Sequence, residues 1–318
     1  MTLIPALIAS AAMAVAPPDW IVAQGSGTCS ATDVDFSDAR HGLASCAFSD
    51  AMKTSDGGLT WAVFPTGLQQ SLVFAHAAST SELYLARLGL YRSSNGGSTW
   101  AEVGNLSANF GSVFDVHFDG SRRVALQGGN ILYSTNAGAN WQTGFPAQTD
   151  VYLDELHFPT STTGFASGGI TTEQGSIGSV LRTTDAGAHW TLLAFTHGQI
   201  TAADFRDATH GIVSTLSAAV YSTADAGASW QTLATLPDNA YLTDLGQRSD
   251  THWYGVATNG CVYETFDAGA HWTASVCDPS ARALVALTLG GGPAVAVGSD
   301  GLVLYENRIL EAGFEAVP

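Results

Sequence analysis

The chain has 318 residues and a formal charge of -17, with 35 glycines, 8 tryptophans and only 12% charged residues. Lys53 is its one lysine beside ten arginines, and so acidic a surface repels phosphate backbones and excludes nucleic acid as an expected partner. The charge reads first as a solubility device, with a basic partner or a bound cation as the alternative.

Residues 1–16, MTLIPALIASAAMAVA, form an apolar run ending in the small residues Ala14-Val15-Ala16. They are expected to be a signal peptide, although no Lys or Arg precedes the run and Pro17 follows the cut. The run is short for a bilayer span, and no later segment is long and apolar enough, so the protein is at most peripheral to a membrane. A periplasmic or secreted location is expected.

The four cysteines allow three pairings on paper. Cys261 and Cys277 are equidistant from Gly269, the centre of a predicted hairpin, and Cys29 and Cys46 flank another short hairpin. The layout favours Cys29–Cys46 and Cys261–Cys277, as in an oxidising compartment, against four reduced thiols in a cytosolic protein. Metal ligation is not expected, because no CxxC pair or nearby His gives zinc spacing.

From residue 17 to residue 306 the chain repeats itself. TSDGGLTW (54–61), SSNGGSTW (93–100), STNAGANW (134–141), TTDAGAHW (183–190), TADAGASW (223–230) and TFDAGAHW (265–272) share the pattern S/T-x-D/N-x-G-x-x-W. In each, Asp56, Asn95, Asn136, Asp185, Asp225 or Asp267 can accept backbone N–H groups across a tight turn. The following glycine supplies positive φ. Trp61, Trp100, Trp141, Trp190, Trp230 or Trp272 then opens the next strand and covers the turn.

Before each box lie a strand such as NILYST, a strand ending in Gly, and an inner strand of the type DVDF, DVHF, DELHF or AADF. The unit is four short antiparallel strands, a propeller blade. Successive box tryptophans are separated by 39, 41, 49, 40 and 42 positions, and Trp20 lies 41 before Trp61 without a box of its own. AVAVGSDGLVLYE (294–306) supplies middle strands without a following box. The two halves complete each other, so an all-β, seven-bladed β-propeller is expected, its ring closed by the N-terminal strand. Residues 307–318 form a C-terminal tail, whose Gly313-Phe314-Glu315 resembles short tails of some exported bacterial proteins.

The box is identified as the Asp-box, or BNR repeat, of sialidase-like propellers. Within that group ATDVDFSDARHGLASC (31–46) and ITAADFRDATHGIVST (200–215) carry a closer resemblance. An inner strand ending in Phe, an Asp-containing turn, His-Gly and a second strand resemble the photosystem II stability/assembly factor-like family. That resemblance covers nearly the whole mature chain and implies a non-enzymatic, cofactor-free factor that holds a protein partner. In the photosynthetic members it implies an arginine-rich docking surface; the arginines here are scattered, and no client-binding residue is carried over.

Sialidases and some glucanases are the rival class. No catalytic residue is assigned, because the box carboxylates are turn-forming and no arginine or carboxylate motif marks a site. A structural envelope propeller is the third reading. Two places are binding candidates. Asp35, His117, His157 and Asp204 recur one residue before the closing Phe, where they either face a cation in the central channel or form its solvated lining. The loop FASGGITTEQGSIGSVL (165–181), with Glu173 and Gln174 at its tip, accounts for the 49-residue interval and is either a binding surface or a tolerated insertion. A monomer is expected.

Overall fold

The computed structural model describes residues 19–23, 27, 29–106, 111–290 and 292–307. The expected signal peptide and nearly all of the tail lie outside them. Seven four-stranded antiparallel sheets follow one another around a ring. Their inner strands are β2 (Ala31–Phe36), β6 (Phe74–Ala77), β10 (Val113–Asp119), β14 (Val151–His157), β18 (Ile200–Phe205), β22 (Leu242–Gln247) and β26 (Leu284–Thr288). The last sheet runs in the order β1 (Asp19–Val22), β28 (Val303–Asn307), β27 (Val295–Gly298), β26, so the N-terminal strand is its outer strand. Ring closure therefore joins the two ends of the chain, as the unmatched Trp20 and the boxless last repeat require. Among the described residues no helix is long and apolar enough to cross a membrane.

The core lies between blades. Leu43 and Ala51 of the first blade pack with Ala75, Leu83 and Leu85 of the second. Tyr254 and Val262 of the sixth pack with Leu284, Ala296 and Leu304 of the seventh. Across the seam, Ala44 and Met52 meet Val295, Val297 and Val303. The second strand of a blade is thus covered on both faces, which is why β3 (Gly42–Cys46), β19 (Gly211–Thr215) and β23 (Trp253–Ala257) are buried at every position.

The Phe and Gly of the repeat are two halves of one contact. A Cβ on Gly42 would meet the Phe36 ring at 2.7 Å, and one on Gly164 would meet Phe158 at 2.5 Å; Gly211 lies under Phe205 in the same way. The inner-strand ring covers the start of the next strand, where only glycine leaves room. The connecting turn is held by Asp38, which accepts from the backbone N–H groups of Arg40 (2.8 Å) and His41 (2.9 Å). Asp207 does the same for Thr209 and His210.

Both disulfides form as expected. Cys261 and Cys277 are direct partners across β24 (Cys261–Thr265) and β25 (Thr273–Cys277), with Cα atoms 3.9 Å apart. Cys29 joins Cys46 at the end of β3, with Cα atoms 5.3 Å apart. Two bonds of this kind fit a non-reducing environment.

Candidate functional site: the central channel and its two mouths

In a four-stranded blade the turns alternate between the two faces of the ring. One face carries the box turns and the turns after the inner strands. The other carries the loops between second and third strands and the connections between blades.

The six repeat turns sit on the first face and share one hydrogen-bond pattern. Asp56 accepts the Thr54 hydroxyl (2.7 Å), the Thr60 N–H (3.0 Å) and the Thr60 hydroxyl (2.5 Å), while Gly58 N–H donates to Thr54 Oγ1 (3.0 Å). Asn95, Asn136, Asp185, Asp225 and Asp267 accept the equivalent N–H at 2.8–3.0 Å. These bonds pull the Asp267 carboxyl down to about 2, with His271 the leading contributor. The residue before the glycine also takes positive φ, and in four boxes it is alanine: Ala137, Ala186, Ala226 and Ala268. Each tryptophan precedes its strand by one residue rather than opening it: Trp61 stands before β5 (Ala62–Pro65). Trp61 and Trp190 donate their indole N–H to the turn carbonyls of Gly58 (2.9 Å) and Gly187 (3.0 Å). Trp100, Trp141, Trp230 and Trp272 occupy the matching positions.

The 165–181 segment is no loop. It pairs throughout as β15 (Gly164–Thr172) and β16 (Gly175–Thr183), nine residues each, with Glu173 and Gln174 exposed at the tip. The extra residues lengthen a hairpin on the loop-bearing face.

The inner strands enclose the channel. Six of them carry a register shift near their start, between Ala31/Asp33, Val113/Asp115, Leu153/Glu155, Ile200/Ala202, Leu242/Asp244 and Leu284/Ala286. Such a bulge bends the strand and re-aims its side chains. Just beyond it, carboxylates clamp one blade to the next. Asp33 accepts N–H from Val34 (2.8 Å) and from Ala75 of the second blade (2.8 Å). Asp115 accepts from Val116 (2.6 Å) and from Leu156 of the fourth blade (2.7 Å). Asp244 accepts from Leu245 and from Leu287 of the seventh, both at 2.7 Å. Glu155 accepts from Ala203 of the fifth (3.0 Å).

These acids are half-buried in the channel wall. Burial pushes Asp33 up to about 7 and Asp115 up to about 6, their N–H partners only partly offsetting it. Burial and the Glu155 charge raise Asp244 as well. Asp154, at the bulge beside Glu155, stays exposed at the mouth, where partial desolvation and its neighbour's charge raise it to about 6.

The four residues expected to share the channel part ways. Asp35 lines it, accepting from Ala77 N–H (3.0 Å) and pairing with His76 Nδ1 (2.7 Å), a histidine the repeat pattern did not single out. His157 also lines it and meets Glu155 at 3.3 Å. Burial opposes its protonation, but Glu155, Asp204 and Asp115 outweigh burial and lift it to about 9. His117 instead stacks on Phe158, ring centroids 4.3 Å apart, and burial lowers it to about 4. Asp204 accepts from the Gln247 backbone N–H (2.9 Å), making a further clamp between blades five and six. Among the described residues no three His, Cys, Asp or Glu side chains converge to hold a metal ion.

The channel opens as a cavity of about 740 Å³ toward the box face, past Asp35, His76 and His157. A second mouth of about 240 Å³ opens toward the loop face, past Phe114, Asp154, Glu155 and Asp244.

No protein-family model and no curated protein matches the chain. Solved structures do. YCF48 from Cyanidioschyzon merolae superposes with a TM-score of 0.72 at 17% identity, over 91% of this chain and 98% of that one. A structure of YCF48 bound to D1 peptide gives 0.73 at 18% identity, over 90% and 96%. The GH74 xyloglucanase from Xanthomonas campestris gives 0.69 at 17% identity, over 94% of this chain but 55% of that one. At these identities the likeness shows the propeller fold.

Proposed function

We propose that the protein is an exported, non-catalytic binding or assembly factor that holds a protein partner on a propeller face. The observation that carries this reading is the engagement of its carboxylates. Asp33, Asp115 and Asp244 each hold two backbone N–H groups, and the box acids hold their own turns, so these groups act as framework rather than as acid and base. Support comes from the likeness to YCF48, one of whose structures holds a D1 peptide, and from two disulfides consistent with life outside a reducing cytoplasm. The test is cross-linking and mass spectrometry on the tagged mature protein in its native cell envelope. One enriched exported or membrane protein, linked to one face, is expected; diffuse capture would overturn the reading.

A hydrolase is the second reading. Asp154 is held near 6 beside Glu155, the environment of a general acid, and the fold is shared with a xyloglucanase. Release of reducing sugar from xyloglucan, abolished by Asp154→Asn, would establish it in place of the first.

A further inference from the structure

The two faces of the ring differ in charge and in what they expose. Among the described residues, the loop face carries only Arg87 and Arg282 as lysine or arginine; the other described arginines and Lys53 lie toward the box face. Arg282 is neutralised by a fork on Asp278, at 2.9 and 3.1 Å. The loop face meanwhile bears Asp50, Asp150, Glu173 and Asp238 around a channel mouth lined by Asp154, Asp244 and a Glu155 paired with His157.

On the same face the loops raise apolar side chains into solvent. Phe48 is 75% exposed, Leu88 53% and Phe114 39%. They stand on neighbouring blades, one on each of the first three, and a chain of contacts links the segments that carry them. The Thr66 hydroxyl, just beyond the Phe48 loop, donates to Ser49 O (2.5 Å). Gln70, on the same connection, accepts the Leu88 N–H (3.1 Å). Arg87, beside Leu88, lies over the Phe114 ring at 5.9 Å. Phe114 stands at the bulge of β10 and lines the acidic mouth itself. Apolar side chains on three neighbouring blades beside a mouth rich in carboxylates have a defined complement. Exposed aromatic and aliphatic tips mark a protein contact, and the charge selects a basic one.

We infer that the loop face docks an extended segment of a partner protein in which basic and apolar residues alternate, one basic side chain entering the mouth at Asp154 and Glu155 while apolar neighbours pack along Phe114, Leu88 and Phe48. This rests on the protein-binding reading above and names the chemistry of its partner. Arg87 holds its guanidinium 5.9 Å from the Phe114 ring, and His157 pairs with Glu155, so Asp154 is the mouth carboxylate left to meet the incoming basic side chain.

The test uses the full mature protein and three fluorescein-labelled hexapeptides: alternating leucine and arginine, alternating leucine and glutamate, and alternating serine and arginine. The leucine–arginine peptide should bind at least about tenfold more tightly than either other peptide. Its affinity should fall as salt rises from roughly 50 to roughly 500 mM. Asp154→Asn and Phe48→Ser, both at exposed positions that leave the core intact, should each weaken it about tenfold. Equal binding of the glutamate peptide, or unchanged affinity in both variants, overturns the proposal. Equal binding of the serine–arginine peptide reduces the mouth to a non-selective acidic patch and overturns it too. If envelope cross-links map to the box face, this proposal fails while the protein-binding reading stands; if no partner is captured, that reading itself fails.

Discussion

Replacing Asp33 by Asn isolates the channel clamp. Its carboxyl titrates near 7 in the folded ring against an ordinary 3.8, with burial the leading cause. A folded pKa raised above the unfolded one means that the native state holds the extra proton between those values. The stabilisation is therefore complete below about pH 4 and lost as pH rises through about 7. Between about pH 8 and about pH 5 this one group adds roughly 3 kcal/mol to wild-type stability, since each pKa unit is worth about 1.4 kcal/mol. Asparagine has the shape of the protonated acid and does not titrate. Its carbonyl still accepts the Ala75 or Val34 N–H, leaving the other to face an amide NH₂ at a price of about 1–3 kcal/mol at every pH. Urea unfolding followed by tryptophan fluorescence at four pH values in that range reads the difference. The wild-type advantage over Asp33→Asn should grow by roughly 3 kcal/mol on acidification. Parallel stability curves for the two proteins would show that the carboxyl is not desolvated in the ring, and the argument for the clamp's electrostatics would fall.

The contact between Phe36 and Gly42 predicts that Gly42→Ala lowers stability by about 1–3 kcal/mol in the same urea assay; an unchanged midpoint would mean that the ring does not hold that glycine. In the sixth box, Ala268 at φ 57 and Gly269 at φ 84 should respond with opposite signs. Ala268→Gly should be neutral or stabilising by up to about 1 kcal/mol, and Gly269→Ala destabilising by more than about 1 kcal/mol because its Cβ meets Trp253 and Leu233; a common sign refutes the turn geometry. Reducing Cys261–Cys277 frees a 16-residue separation and should lower unfolding free energy by about 3 kcal/mol, checked with a Cys261→Ser/Cys277→Ser variant under non-reducing conditions.

The ring was readable because its determinants are local and repeated. Each box is a self-contained turn whose side chain, glycine and tryptophan lie within eight residues, so six copies announce six blades. The unpaired Trp20 and the boxless 294–306 then leave one way to close the seventh. Residue spacing also found both disulfides, since a hairpin centred on Gly269 places Cys261 opposite Cys277. The alanines at positive φ were not readable, because an L-residue there is set by the folded turn and not by its own preference.

The channel was half legible, and the half that was missed follows a rule of position. The spacing drew attention to the residue before the closing Phe, yet the stronger signal stands three before it, in Asp33-Val34-Asp35-Phe36, Asp115-Val116-His117-Phe118 and Glu155-Leu156-His157-Phe158. An acid two residues from another on a strand shares its face, so both tiers point toward the neighbouring blade. Which one acts as clamp depends on where that blade's N–H groups lie, a fact of ring closure that no single repeat contains. The bulges add a second non-local effect. By shifting register before each clamp, they turn Phe114 and Asp154 toward the mouth, where strict alternation would send them elsewhere. The repeat thus fixes the carboxylates that hold blades together, while the side chains free to meet a partner arise where the repeat is broken. That is why the scaffold is legible in the chain while the face proposed for docking emerges only in three dimensions.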